Sequence, residues 1–248
     1  MKFEVILAAA GALVLAATGS ASAGQTQVAV AANFSAPAKE IAAAFKAETG
    51  NEAQLSFGAS GQFHAQIQQG APFQVFLSAD ADRPKAAIEA GLAVADSRFT
   101  YAIGRLVLWS KSLDLAKGDE ALKAGGFAKL AIANPKSAPY GAAAVEAMTK
   151  LGVYDAIQPK IVQGASIGQA FEFVDTGNAE LGFVALSQLA NVTTGSRWPV
   201  PQALYAPIRQ DAVLLKTGAD DEASKAFLAF LKGPAARAII EKYGYGLD

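Results

Sequence analysis

A chain of 248 residues with no cysteine and one histidine excludes disulfides, thiol catalysis, Cys-based metal sites and lipid attachment through an N-terminal Cys. The single His64 leaves no His-rich zinc or copper site. A net charge of -1, 17% charged residues and no basic cluster argue against nucleic acid or an anionic membrane surface as partner.

The N-terminus reads as a secretory signal. Met1-Lys2 precedes an apolar run from Val5 to Ala17, and Ala21-Ser22-Ala23 supplies an A-x-A cleavage site. The run falls short of the ~20 apolar residues of a membrane span. Cleavage after Ala23 is expected, with residues 1–23 as signal peptide and about 225 residues exported. Charges interrupt every later apolar run, so a free protein of a Gram-negative periplasm is the expected product.

Strand and helix patterns then alternate. Strand 27–32 leads into helix 37–49, whose inner face carries Ile41 and Phe45 and which stops at Gly50. Strand 52–57, helix 62–69, strand 74–78 and helix 83–90 follow. A long β segment is expected at 101–110, then strand 130–133, helix 139–151, strand 160–163, helix 167–176 and strand 181–185. Residues 205–215 read as a final strand pair, and helices 220–231 and 234–243 close the chain. Strands separated by helices of this length predict α/β architecture with mainly parallel sheets. Two lobes are expected, 24–105 with 206–248 and 106–205, with the ligand cleft between them. Segments 101–110 and 205–215 would be the crossings.

Four strand-to-helix junctions share one chemistry. They are Ala31-Ala32-Asn33-Phe34-Ser35, Gly58-Ala59-Ser60-Gly61, Ser137-Ala138-Pro139-Tyr140-Gly141 and Gly164-Ala165-Ser166-Ile167-Gly168. Taken singly, each is an ordinary helix cap. Taken together, two in each lobe, they offer unpaired N–H groups and positive dipole ends to one cleft, each end worth roughly half a charge. That arrangement suits a dianion held by neutral donors.

These junctions also carry a resemblance. Val28-Ala29-Val30-Ala31-Ala32-Asn33-Phe34, Phe57-Gly58-Ala59-Ser60-Gly61 and Gly70-Ala71-Pro72-Phe73-Gln74-Val75-Phe76-Leu77-Ser78-Ala79-Asp80, with Leu130 to Pro135, Leu181 to Ala185 and Phe230 to Pro234, make the chain similar to the periplasmic molybdate-binding proteins of molybdate ABC importers. The resemblance spans nearly the whole exported chain and implies the two-lobed type II periplasmic-binding-protein fold. It implies molybdate or tungstate as ligand, a membrane permease of an ABC transporter as partner, a monomer, no cofactor and no catalysis. Molybdenum would enter only as the bound oxyanion, without direct protein–metal ligands. The implied ligand residues are Asn33 and Ser60 through side chains, and Tyr140 and Ile167 through backbone N–H groups. A tyrosine that many relatives carry is Ala185 here, removing one hydroxyl donor that Tyr140 would have to replace.

Rival readings remain at this stage. Another oxyanion, sulfate or phosphate, keeps the fold and changes the ligand. Phosphate carries a proton at neutral pH and wants an acceptor, and the four junctions hold no carboxylate, although Asp80 and Asp175 lie nearby in sequence. A secreted hydrolase would need a nucleophile and base. Ser60 does not sit in a Gly-x-Ser-x-Gly elbow, His64 falls in mid-helix among glutamines, and Asp80 and Asp82 read as helix caps. Arg105, Arg197 and Arg209 lie outside the junctions, which weakens a carboxylate clamp. Trp109 and Trp198 read as core rather than as sugar platforms.

Overall fold

A computed structural model describes residues 23–248; the expected signal peptide, but for Ala23, lies outside the described residues. Ten strands pair into two sheets: β1 (Gln25–Ala31), β2 (Glu52–Gly58), β3 (Val75–Leu77), β4 (Phe99–Gly104), β5 (Leu106–Ser110), β6 (Leu130–Ala133), β7 (Ile161–Gly164), β8 (Leu181–Ala185), β9 (Ser196–Pro199) and β10 (Ile208–Leu214). The first sheet has the order β2-β1-β3-β10-β4 and the second β7-β6-β8-β5-β9. In each, one strand, β10 or β5, runs against the other four. The sheets are therefore mainly parallel, and the fold is the expected two-lobed α/β architecture.

The helices α1 (Ser35–Thr49), α2 (Ser60–Gln68), α3 (Asp82–Glu89), α4 (Gly118–Ala124), α5 (Pro139–Lys150), α6 (Tyr154–Ile157), α7 (Ile167–Asp175), α8 (Glu222–Lys232) and α9 (Pro234–Lys242) cover the sheet faces. Period-two alternation sorts the first sheet. Val28, Val30, Val75 and Leu77 meet Ile41, Phe45 and Phe227 on one face. Ala29, Phe76 and Val213 meet Phe63, Ile67 and Ala87 on the other. In the second lobe, Leu108, Trp109, Ile132 and Phe183 pack with Ala144, Ala147 and Met148 of α5 and Ala170 and Val174 of α7. Each large side chain so buried contributes ~1.5–3 kcal/mol.

The expected long strand 101–110 is two strands in different sheets. β4 ends at Gly104 and β5 begins at Leu106, so the chain changes sheets at Arg105. The expected strand pair at 205–215 is the single strand β10, which follows a 3-10 turn at Gln202–Leu204. The Leu106 N–H donates to Tyr205 Oη (3.1 Å), tying the two crossings together. Apolar pattern alone marks continuous β character in both segments; it does not mark where hydrogen bonding changes partner.

Candidate functional site

Sheet register brings the four junctions together. In the first sheet β1 and β2 end level, with Ala31 opposite Gly58. In the second, β6 and β7 end level, with Ala133 opposite Gly164. Each strand hands over to a helix start, so four first turns leave the carboxyl ends of the parallel strands, where open α/β sheets bind ligands. Asn33, Ser60, Tyr140 and Ile167 all line one tight cavity between the lobes, of about 10 Å3. Its other walls are alanines, Gly58 and Pro139, and no charged residue lines it.

Each residue meets the cavity differently. Ser60 opens α2 and is 1% exposed. Its Oγ accepts from the Ala79 N–H (2.9 Å), which occupies a lone pair and leaves its own O–H to donate. Asn33 sits in a 3-10 turn ahead of α1 and is 2% exposed. Tyr140 follows Pro139 in the first turn of α5, and Ile167 is the first residue of α7. Their N–H groups have no backbone acceptor among the described residues, as first-turn position dictates. Ser166 caps α7, its Oγ accepting from the Gln169 N–H.

The Tyr140 hydroxyl meets β10 of the other lobe. Burial pushes that group well up, and its Oη is bonded to Gln210 Nε2 (3.2 Å). Ala185 is fully buried at the end of β8 and lies outside the cavity lining. Its N–H donates to Gln188 Oε1 (2.9 Å), and Gln188 Nε2 donates to the Ile167 carbonyl (3.0 Å), bracing the start of α7.

The sequence reading missed Gln210, Tyr245 and Ser187. Gln210 is fully buried on β10. Tyr245 Oη and Ser187 Oγ both donate to the Asn33 carbonyl (2.8 Å each). The available signal was the polar run Arg209-Gln210-Asp211 opening an otherwise apolar closing strand.

Further bonds join the lobes across the cleft. The Gly61 N–H donates to the Ser137 carbonyl (2.8 Å), and Arg83 Nη2 to the Lys136 carbonyl (3.2 Å). A Cβ on Gly61 would lie 2.9 Å from Ser137 Cα. Beside the cavity runs a larger groove of about 420 Å3, lined by Asp80, Asp82, Arg83, Glu146 and Arg209 among others. Three carboxylates give it the wrong sign for an anion. Asp80 there pairs with Arg83, and Asp175 pairs with Lys111 on the surface.

The remaining sequence candidates have structural roles. Trp109 stacks on Phe171 in the core (5.1 Å), and Trp198 packs on Gly118. Arg197 donates to the Leu189 and Val192 carbonyls, and Arg209 pairs with Asp248. His64 lies one turn beyond Ser60 but outside the cavity lining. Burial, then Arg83, holds its pKa below the ordinary value. Among the described residues no cluster of His, Asp or Glu could hold a metal ion, and no helix is long and apolar enough to cross a membrane.

Comparison with known proteins places the chain in a family and agrees with its fold. The pattern of the bacterial extracellular solute-binding proteins matches residues 26–246. A molybdate-binding protein of Rhodobacter capsulatus is 59% identical over 240 residues, 96% of this chain and 94% of that protein. One from Azotobacter vinelandii is 54% identical over the whole of both chains. A solved Azotobacter vinelandii periplasmic molybdate-binding protein superposes with a TM-score of 0.84 at 41% identity, covering 90% of this chain and 99% of that one.

Proposed function

The chain belongs to the bacterial extracellular solute-binding proteins, and on that premise we propose that it captures molybdate in the periplasm for delivery to the permease of an ABC importer. The observation that carries this reading is the convergence of Asn33, Ser60, Tyr140 and Ile167 on one cavity without a charged wall. The names of its relatives at 59% and 54% identity support the choice of ion.

In this reading the oxyanion is held by hydrogen bonds alone. Ser60 donates its hydroxyl, Tyr140 and Ile167 their backbone N–H groups, and Asn33 its side-chain amide. Hydrogen bonds to a charged group contribute ~1.5–3 kcal/mol each. Several of them, less the ordering of the lobes, reach about -8 to -12 kcal/mol, micromolar to nanomolar affinity. The positive ends of α2, α5 and α7 add charge complementarity without a titratable group.

Donors alone do not separate tetrahedral dianions, so the cavity must discriminate by size. Tungstate nearly matches molybdate in radius and binds alongside it. Sulfate is smaller and leaves buried donors unpaired, at ~1–3 kcal/mol each. Phosphate brings a proton and finds no carboxylate at the cavity wall.

The rest of the proposal follows the same logic. The lobes are residues 24–105 with 206–248, and 106–205, a division supported by the sheet crossing at Arg105 and the return into β10. The protein acts as a monomer, is freed by cleavage after Ala23, and catalyses no reaction. Calorimetric titration of the ligand-stripped protein with molybdate, tungstate, sulfate and phosphate tests the assignment. One-to-one binding of the first two with the others silent is expected. Heat from sulfate or phosphate with molybdate silent would overturn the ligand.

A further inference from the structure

Asn33 is the cavity residue whose side chain is an amide, and the bonds around it decide which end meets an occupant. Its Nδ2 donates to Gln210 Oε1 (2.8 Å) and Tyr245 Oη (2.9 Å). Its Oδ1 is buried and has no partner among the described residues. Asn33 lines the cavity, and a bare acceptor turned toward an oxyanion there would repel it.

The two ends of a carboxamide have the same shape, so one atomic frame carries a second bonding pattern. Turning Asn33 alone would set its Oδ1 against Gln210 Oε1, two acceptors 2.8 Å apart. Turning both amides removes the conflict. Gln210 Nε2 then donates to Asn33 Oδ1 and to Tyr101 Oη, and Tyr101 donates to the Ser78 carbonyl (3.1 Å). Tyr140 Oη donates to Gln210 Oε1 instead of accepting from Nε2. Tyr245 Oη donates to Asn33 Oδ1, while Ser187 Oγ keeps the Asn33 carbonyl. Every hydroxyl hydrogen of the cluster has one acceptor, and Asn33 Nδ2 occupies the position of the bare oxygen.

Building on the oxyanion reading above, we propose that Gln210 is a positioning residue for this site: anion capture selects the turned-over state of the Asn33–Gln210 amide pair, and the Tyr140 hydroxyl holds it there. Gln210 belongs to the first lobe and Tyr140 to the second. The bond between them exists only while the lobes are together, so donor presentation by Asn33 is coupled to closure. A buried, fully paired polar network of this kind fixes one arrangement because each unpaired alternative is penalised.

The test is a double-mutant cycle read by calorimetric titration with molybdate on the ligand-stripped protein. Gln210→Met keeps length and removes both polar ends; about a tenfold loss of affinity is expected. Asn33→Ser leaves no amide to orient, so adding Gln210→Met to it should change the Kd by less than about twofold. Equal losses in both backgrounds would overturn the proposal. If Gln210→Met does not fold, Tyr140→Phe poses the same question from the other lobe, again with a loss expected only where Asn33 is present. Ser60→Ala separates the two ideas. If it binds molybdate unchanged, Ser60 is not a ligand and the site as drawn here fails; if it weakens binding while Gln210→Met does not, the amide relay alone falls.

Discussion

Replacing Ser60 with alanine separates binding from stability. The hydroxyl has two partners in prospect: its oxygen accepts from the Ala79 N–H at 2.9 Å, and its hydrogen is free for the oxyanion. Ser60→Ala deletes both. The lost donor to a dianion is felt only in the complex and amounts to ~1.5–3 kcal/mol, about tenfold to a hundredfold in Kd. The Ala79 N–H, on a residue 2% exposed, is left unpaired with or without ligand. It therefore cancels from the Kd and appears as ~1–3 kcal/mol of lost stability. For a chain of this size each kcal/mol moves the Tm by about 2–4 °C. Calorimetry on the ligand-stripped variant reads the first effect, and a thermal melt without ligand reads the second. A lowered Tm with unchanged molybdate affinity would refute the argument, because it would show that the Ser60 hydrogen never points at the ion.

Four further outcomes follow from the same geometry. Gly61→Ala brings a Cβ within 2.9 Å of Ser137 across the cleft; overpacking of this size should weaken molybdate binding about tenfold and leave the liganded protein more open by small-angle scattering. Gly104→Ala drives its Cβ into Tyr140 Oη and Gln210 Nε2, and should lower both Tm and affinity, where a surface Gly→Ala at Gly126, with open space around it, lowers neither. Molybdate affinity should stay flat from about pH 6 to 9, since no group lining the cavity titrates there. Stability should not stay flat: His64 has its pKa lowered from 6.5 in the fold, so the folded state binds fewer protons, and its contribution is complete above that value and declines as pH falls below it. Melts at about pH 7.5 and 5 should show this decline, and His64→Gln should reduce it.

The fold was legible because its signals are local. Helix stops at Gly50, Gly70 and Gly91, all with positive φ, and apolar runs such as Val28-Ala29-Val30 mark elements whatever surrounds them. The crossing at Arg105 was not legible, because 99–104 and 106–110 have the same β character and differ only in which sheet receives their hydrogen bonds. β9, α4 and α6 are too short, at four, seven and four residues, to set up a period.

The site divides in the same way. A helix start announces itself through Ser, Pro and Gly, so the junctions holding Ser60, Tyr140 and Ile167 could be found from their neighbours, while the choice of these residues within them came from the resemblance. What those neighbours do not encode is the polarity of each donor. Ser60 can donate because Ala79, nineteen residues on, occupies its lone pair. Asn33 offers a donor or an acceptor according to Gln210 and Tyr245, 177 and 212 residues away in sequence. A neutral anion site therefore depends on its second layer more than a charged one does. Arginine offers only donors whatever lies behind it, whereas a hydroxyl or an amide carries both, and its other partners decide which faces the ligand. The buried tyrosines behind this cavity serve that end: burial raises the pKa of Tyr101, Tyr140 and Tyr245, which keeps their hydroxyls protonated, each with one hydrogen to donate in either arrangement of the amide pair.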